Sequence, residues 1–444
     1  MFEKEFEQIF DIAKKRNLSK IDVFLTKNNS FSVKIFKQEV ESFKYADSIG
    51  LGVRVIVDNS VGYAYTEKLD KAAFETILDK ARENANYIES DEEVELKNYP
   101  NIDKKLKIYY PELEKVAVNE KIEKSKLLEK SARDYDKKII NVPYAEIGNA
   151  RVDTKIANTT GLQKEYVSNL IYGYVMCLAR QKEETKSGFF YDISHNFEQI
   201  NGKTIGEESA KRALALLGAR DVKSGKYPII FNNEMAATLL STFSGIFSAK
   251  AVQEGRSLLK EKLNSKIAND IVSITDDALL DIGFNTRPFD DEGYPSQTTG
   301  LISNGILQSY LHNSITAKKD KIKSTGNASR SYKGTMNISP SNLFIPNGKT
   351  PADDLYKLVP RCIEIVDLSG MHSGCNPISG DFSMGAQGFF CENGERKYPI
   401  HNFTVSGNFL QLLQNIVAIG NNLKFNLSSI GAPSILVENL SISG

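Results

Sequence analysis

The sequence has few cysteines and histidines, no long apolar run and no excess of charge of either sign. Its 444 residues include four cysteines and four histidines. So few cysteines in so long a chain cannot form the dense disulfide framework that stabilises small secreted domains. We therefore expect reduced thiols and a cytoplasmic protein.

The charge balance argues against nucleic acid as a partner. Lys and Arg together number 56, as do Asp and Glu, so the formal net charge is zero. Proteins that bind DNA or RNA usually carry a basic excess or a basic patch, because neutralising phosphates supplies much of the affinity. We expect no nucleic-acid partner for this chain.

The apolar residues also argue against a membrane partner. No run approaches the roughly 18 apolar residues that a membrane-spanning helix needs. Near the N-terminus, acidic residues are interspersed with Phe2, Phe6, Ile9, Phe10 and Ala13 at helical spacing. A signal peptide would instead have a basic start followed by an apolar block. We expect neither a signal peptide nor a membrane anchor.

Length and composition predict a globular protein of the α+β class. The chain is too long for one ordinary hydrophobic core. Its hydrophobic fraction of 41% and charged fraction of 25% are typical of globular proteins. Apolar spacing predicts strands at 21–27, 31–36, 50–58 and 61–66, helices at 71–85, 111–136 and 201–217, and further strands within 142–178.

A polar, glycine-containing connection at 219–227 is the best domain boundary. We predict an N-terminal domain at 1–222 that mixes helices and sheet, with a break between two subdomains near 90–110. A β-rich, mainly antiparallel C-terminal domain follows at 223–444. The whole chain is therefore predicted to be α+β.

Two Asn-Gly pairs predict hairpins in the C-terminal domain. Asn304-Gly305 and Asn393-Gly394 each lie between strand-like segments. Asn-Gly readily adopts the positive φ angles that a two-residue hairpin turn requires. The second hairpin is followed by an amphipathic segment that predicts a helix before residue 423.

One group of residues has the composition of a metal site. His372 and Cys375 are three residues apart, and Cys391 and His401 follow. Zinc is bound by thiolate and imidazole groups in tetrahedral sites, and this spacing can place two ligands on one turn. The alternative is that Cys375 packs in a glycine-rich loop and Cys391 in a strand. We favour packing, because the second pair of ligands lacks a tight spacing.

A second group consists of three consecutive carboxylates, Asp290, Asp291 and Glu292. Adjacent carboxylates can hold a hard cation or the amine of a peptide. The alternative is a solvated turn, since turns select Asp and Gly on backbone grounds alone. We favour the solvated turn and keep the three residues as candidate substrate-binding residues.

Six phrases of the sequence occur in a characteristic order: FDDEG at 289–293, GLISNGIL at 300–307, TGN at 325–327, ENG at 392–394, NIVAIGN at 415–421 and the C-terminal GAPSILVENLSISG. Together they resemble the TldD/PmbA family, whose proteins were once named modulators of DNA gyrase. Their occurrence in one order is more specific than any single phrase. The resemblance covers most of the chain and is densest from residue 227 onward.

The family pairs a metalloprotease subunit with a related subunit that lacks the metal site. For the protease branch, the resemblance implies an HExxxH motif on the helix after the first strand of the second domain. Its two histidines bind the metal, its glutamate is the general base, and a cysteine near the C-terminus completes the site. In this chain the corresponding strand is 227–231, and the corresponding helix, 234–254, contains no histidine. The segment 426–434 contains no cysteine.

This departure from the motif makes the chain similar to the noncatalytic PmbA branch, also called TldE. The resemblance then implies no catalytic residue and no metal in this chain. It implies a TldD-like metalloprotease subunit as partner, with zinc in that partner, and unfolded or extended peptides as substrates. Formation of a homodimer in isolation is left open.

An extended peptide can bind by adding a strand to an exposed sheet edge. The glycine-rich strand at 380–388 is a candidate edge, because Gly380, Gly385 and Gly388 allow close backbone approach. The alternative is that these glycines shape a bulge or a bend.

Two other functions are left open: a self-sufficient peptidase with His372 and Cys375 as metal ligands, and a regulatory binder of DNA gyrase.

Overall fold

The computed structural model describes residues 3–87 and 94–444 of the chain. Helices and strands occur throughout, and most strand pairs are antiparallel. The α+β class and the β-rich character predicted from the sequence are confirmed. None of the helices in this described part combines the length and apolar character needed to cross a membrane.

The first half of the chain forms a six-stranded antiparallel sheet in the order β3-β2-β1-β4-β5-β6. In chain order its elements are α1 (Glu3–Lys15), β1 (Ile21–Phe36), β2 (Glu39–Val57), β3 (Ser60–Thr66), α2 (Lys71–Tyr87), α3 (Glu112–Lys115), α4 (Val118–Arg133), β4 (Ile139–Asn158), β5 (Gln163–Gln181), β6 (Glu184–Ser194) and α5 (Gly202–Ala215). The helices pack against one face of this sheet and form two apolar cores with it.

The two halves of this sheet repeat one order, three strands followed by a helix. In the first half, a Cβ atom at Gly62 of β3 would lie 1.7 Å from the carbonyl oxygen of Ala81 in α2. In the second half, a Cβ atom at Gly188 of β6 would lie 2.1 Å from the carbonyl oxygen of Ser209 in α5. Both strands therefore need glycine where the helix backbone crosses them. Because β1 pairs with β4, the connection at 90–110 joins two halves of a single sheet.

The predicted elements of this region are present with different bounds. The predicted strands 21–27 and 31–36 are one strand, β1, because the polar residues between them also pair with β2 and β4. The predicted helix 111–136 is divided into α3 and α4 at Val116 and Ala117, which have extended backbone. α1 buries Phe6, Ile9 and Ala13, whereas the predicted Phe2 lies outside the described residues.

The second half of the chain contains short strands, two larger sheets and short helices. In chain order its elements are β7 (Gly225–Phe231), α6 (Asn233–Phe243), α7 (Ala249–Gln253), β8 (Ile274–Asp277), β9 (Thr298–Ser303), β10 (Ile306–Leu307), α8 (Ser314–Lys319), β11 (Ala328–Ser329), β12 (Asn337–Ile338), β13 (Leu343–Phe344), β14 (Arg361–Ser369), α9 (Met371–Gly374), β15 (Asp381–Glu392), β16 (Glu395–Asn408), α10 (Phe409–Gln414), β17 (Ile416–Ile419), β18 (Lys424–Phe425), β19 (Ile430–Ala432) and β20 (Ile435–Ser443).

One of these sheets closes into a barrel. Its order is β16-β15-β14-β7-β20-β17, and β16 also pairs with β20 through Thr404, Val405 and Ser406. The other sheet has the order β10-β9-β8-β13-β19-β18. A single apolar core joins the barrel, α6 and this second sheet, so α6 is held between them.

Both predicted hairpin turns are confirmed. Asn304 and Gly305 have φ angles of 47° and 79°, and Asn393 and Gly394 have 55° and 80°. These positive φ angles are those of the type I′ turn that matches the twist of the flanking strands. The helix predicted after the second hairpin is present as α10, and it leads into β17.

Candidate functional site

α6 follows β7, at the place where the protease branch is expected to carry its metal-binding helix. The side chain of Asn232 caps the helix by accepting a hydrogen bond from the backbone N–H of Met235, at 2.8 Å. α6 ends at Phe243 and is followed by a 3₁₀ turn, Ser244–Phe247. The predicted single helix 234–254 is therefore wrong, because Ser248 adopts extended backbone and caps a separate helix, α7.

The side chains of α6 do not form a zinc site. One side of the helix is buried and apolar, with Ala236, Ala237, Leu239, Leu240 and Phe243. Three hydroxyl groups in and just after α6 donate to helix carbonyls at 2.8 Å: Thr238 to Glu234, Thr242 to Thr238 and Ser244 to Ser241. Within residues 3–87 and 94–444, no group of three or more His, Cys, Asp or Glu side chains is placed to hold a metal ion.

The one carboxylate of α6 already has partners. Glu234 is buried and accepts hydrogen bonds from both Nη atoms of Arg212, at 2.7 and 3.0 Å, and from Nζ of Lys424, at 2.7 Å. Burial alone would raise the pKa of Glu234, but these two cations outweigh burial and hold it below its ordinary value. Glu234 therefore links α6 to α5 and β18, and it is not placed as a general base.

The C-terminal segment that the resemblance associates with a cysteine ligand does pack against α6. β19 lies within this segment and contacts the helix. Its residues are Ile430, Gly431 and Ala432, and all three are buried. The helix and the segment therefore meet as the resemblance implies, but neither presents a thiolate or an imidazole.

The alternative metal group around His372 is not assembled. His372 lies exposed on the short helix α9, and His401 is exposed on β16. Cys375 packs against the barrel core, whereas Cys391 belongs to a different core, where it lies opposite Cys362 on the neighbouring strand. Both cysteines therefore pack as the alternative interpretation expects, and the absence of a metal at His372 and Cys375 stays a prediction.

The expectation that the glycine-rich strand is a sheet edge is wrong. From Gly385 to Glu392, β15 pairs with β14 on one side and with β16 on the other. Before Gly385 it pairs with β16, and Phe382 also forms a bridge to Cys375. The register shifts beside Gly388, and a Cβ atom there would lie 1.8 Å from the carbonyl oxygen of Glu364. A Cβ atom at Gly385 would lie 2.6 Å from Oγ of Ser369. Substrate binding at Gly380, Gly385 and Gly388 stays a prediction, and the strand-edge argument no longer supports it.

The carboxylates at 290–292 do form a turn, but the turn is buried rather than solvated. Their relative exposures are 0% for Asp290, 9% for Asp291 and 6% for Glu292. Asp290 accepts hydrogen bonds from the backbone N–H groups of Glu292, Tyr294 and Ala328. Asp291 accepts one from the backbone N–H of Arg330. Glu292 accepts two from Ser314, one from its backbone N–H and one from its hydroxyl. Substrate binding by these residues stays a prediction, one that their burial disfavours.

This turn lies against a buried ion-pair network that joins the N-terminal sheet to the C-terminal half. Asp22 of β1 accepts hydrogen bonds from Nη2 of Arg54 at 3.1 Å and from Nη1 of Arg330 at 2.6 Å. Nη1 of Arg54 also lies 3.8 Å from Oε1 of Glu292. Burial alone would raise the pKa of Asp22, but the two guanidinium groups outweigh it and hold the pKa below its ordinary value.

The sequence contained a signal for this network that composition alone does not reveal. Asp22 lies between Ile21 and Val23, and Arg54 lies between Val53 and Val55, all in strand-like apolar runs. A charged residue inside a buried strand is almost always paired. The third member, Arg330, lies in an irregular segment far along the chain, so the sequence does not indicate which partner it has.

Burial and the neighbouring Glu292 carboxylate raise the pKa of Asp290 to about 7. The folded protein then keeps this proton to higher pH than the unfolded chain, so the contribution of Asp290 to stability is full below its ordinary pKa and falls as pH rises to about 7. Replacing Asp290 with Asn should remove this fall, and the two stability–pH curves should differ in slope by up to about 1.4 kcal/mol per pH unit. Urea unfolding at several pH values between about 4.5 and 7 checks this. Parallel curves would contradict it.

Comparison with known proteins identifies the family. The family models for the PmbA/TldA metallopeptidase match residues 21–85 as domain 1, 111–217 as the central domain and 224–444 as the C-terminal domain. The chain belongs to the TldD/PmbA family. The proteins named PmbA among its relatives, and the missing HExxxH motif on α6, place it in the PmbA/TldE-like branch.

Relatives and solved structures match over nearly the whole chain. Metalloprotease PmbA of Escherichia coli O157:H7 is 27% identical, and a Metalloprotease PmbA homolog of Haemophilus influenzae is 28% identical; each match covers 95% of this chain and 92% of the relative. The crystal structure of a proposed DNA gyrase modulator from Thermotoga maritima covers 100% of both chains, with 31% identity and a TM-score of 0.92. TldE from Thermococcus kodakarensis shares the fold, with a TM-score of 0.91. The match covers 99% of this chain and 100% of that chain, at 23% identity.

Proposed function

We propose that this chain is the noncatalytic subunit of a cytoplasmic two-subunit peptidase, whose other subunit is a TldD-like relative that binds zinc. The substrates are unfolded or extended peptides. The balanced charge of the chain supports a peptide rather than a nucleic acid as ligand.

One observation carries this proposal. The helix that should provide two histidines and a glutamate provides apolar side chains and hydroxyls bonded to its own backbone. A catalytic zinc needs three protein ligands and an open position. Because α6 supplies none of these ligands, we assign hydrolysis to the partner and assembly to this chain.

Co-expression of this chain with a TldD-like chain from the same genome tests the proposal. We expect the two chains to co-purify as a complex that cleaves unfolded peptides, and neither chain alone to do so at a comparable rate. Replacing a histidine of the HExxxH motif in the TldD-like chain should abolish cleavage without dissociating the complex.

The matched control lies in this chain. The variants His372→Ala and Cys375→Ala remove the two metal ligands of the self-sufficient peptidase hypothesis, and they should leave the activity of the complex unchanged. Loss of cleavage in either variant, with the complex intact, would contradict the assignment of the metal to the partner.

A further inference from the structure

β2 extends beyond the strand that covers its outer side. On its inner side, β2 pairs with β1 from Glu39 to Val55. On its outer side, β3 pairs with β2 from Leu51 to Val57. Within the described residues, the outer side of β2 makes no backbone hydrogen bond before Leu51. We call this stretch, Glu39–Gly50, the open edge.

The open edge is anchored by contacts at both ends. At the hairpin tip, the backbone N–H groups of Lys37 and Gln38 donate to the two oxygens of the buried Glu129 carboxylate, both at 2.7 Å. At the other end, the ring of Tyr332 lies directly against Gly50. A strand that added to this edge would therefore meet a fixed row of N–H and C=O groups.

The open edge also carries exposed apolar side chains. Val40, Phe43 and Tyr45 are 44%, 51% and 66% exposed. Phe43 packs edge-on against Phe31 of β1, with ring centroids 5.1 Å apart. An uncovered strand edge with exposed aromatic side chains promotes aggregation, so proteins that have one usually cover it.

The second half of the same sheet shows what covers the equivalent edge. There, β6 pairs with β5 from Ile171 onward, and the earlier part of β5 extends beyond it. An irregular segment of the chain lies along that part. The backbone N–H of Asn169 donates to the carbonyl of Ile108 at 3.1 Å, and the Asn169 side chain bonds both backbone groups of Tyr110 at 2.8 and 2.9 Å. In the repeat, an irregular segment of the chain therefore occupies the position that is open beside β2.

We propose that the open edge of β2 binds an extended segment of the partner subunit, which adds as a further strand. This inference rests on the proposed function. A subunit that stays bound keeps the aromatic side chains covered, whereas a passing substrate leaves them exposed between turnovers. The edge carries Glu39, Glu41 and Asp47 against one cation, Lys44. If a second copy of this chain paired with the edge, the carboxylates of the two copies would face and repel each other. We therefore expect a partner segment with apolar and basic residues.

Hydrogen exchange on the co-purified complex tests the inference. Strand addition satisfies the outward-facing amides, so we expect slower exchange within 39–50 in the complex than in the isolated chain. Amides of β1, which already pair on both sides, should be unchanged. Protection of 39–50 by an extended peptide alone, and not by the partner, would overturn the choice of occupant.

A variant pair gives an independent measurement. Combined Phe43→Glu and Tyr45→Glu should raise the Kd of the two subunits by about tenfold or more, since exposed aromatic anchors dominate interface energies. Tyr135→Glu, which changes an exposed aromatic residue beyond the end of α4, should leave the Kd unchanged. Thermal unfolding of each isolated variant shows whether it is folded.

The outcomes separate the two proposals. If the unmodified chains do not bind each other, the proposed function fails. If they bind while 39–50 stays unprotected and the double variant binds normally, the strand-addition inference fails and the proposed function stands. Protection of 39–50 together with the loss of affinity supports both.

Discussion

Replacing Asp22 with alanine is expected to lower the free energy of unfolding by about 3–5 kcal/mol, because it leaves buried arginines without their shared carboxylate. The side chains of Asp22 and Arg330 are each 1% exposed and that of Arg54 is 7% exposed. Among the acidic side chains that the structure describes, Arg54 then keeps Glu292, at 3.8 Å. Chemical unfolding of the variant and the unmodified chain measures the difference.

The matched control is an exposed ion pair of the same chemistry. Arg16 and Asp79 are bonded at 2.7 Å, but the Asp79 side chain is 60% exposed. Asp79→Ala should change stability by less than about 1 kcal/mol, because solvent screens surface pairs. Similar losses in the two variants would contradict the account of the buried network.

A second variant of the network tests the cause. Replacing Asp22, Arg54 and Arg330 together with apolar residues of similar size should restore much of the stability lost in Asp22→Ala. The loss in the single variant would then come from uncompensated charge rather than from a lost contact. A triple variant no more stable than Asp22→Ala would point to packing instead.

Gly388→Ala should also destabilise the protein strongly, by about 1–3 kcal/mol or more, because an added methyl group must displace the barrel backbone. Its Cβ atom would lie 1.8 Å from the carbonyl oxygen of Glu364, which is backbone and cannot rotate away. Thermal or urea unfolding of the variant checks this. If Gly388 served only to admit a peptide, the variant would keep its stability and lose peptide affinity instead.

Gly300→Ala is the control for this prediction. Gly300 also lies in a strand, β9, but a Cβ atom there would meet nothing within 4 Å. Its stability should change by less than about 0.5 kcal/mol, as for most surface substitutions. Equal losses at Gly300 and Gly388 would show that the lack of space at Gly388 is not the cause.

Local signals in the sequence predicted the local structure well. The Asn393-Gly394 turn and the apolar spacing of the predicted helix 71–85, which buries Phe74, Ile77 and Leu78 in α2, each depend on residues close in sequence. These are the features in which backbone preference and apolar spacing agree.

The features that sequence reasoning missed depend on distant partners. The first part of β2 has almost no buried side chain to mark it in the sequence, and it is a strand because β1 pairs with it. Closure of the barrel requires β16 to pair with both β15 and β20. The carboxylates at 290–292 have the composition of a solvated turn, and they are buried because the N-terminal sheet packs over them with Arg54.

The candidate site was predicted mainly through an absence. The missing histidines of α6 were visible in the sequence, and the structure adds that Glu234, Thr238 and Thr242 of the helix already have hydrogen-bond partners. The positive features of the site were less predictable. The glycine strand is interior from Gly385 onward, and a longer open edge lies on β2.

The most direct test of the central claim is the zinc content of this chain purified alone, measured by mass spectrometry beside an assay of peptide cleavage. We predict far less than one zinc ion per chain and no cleavage above the background rate. One zinc ion per chain, with cleavage that a chelator stops, would contradict the account.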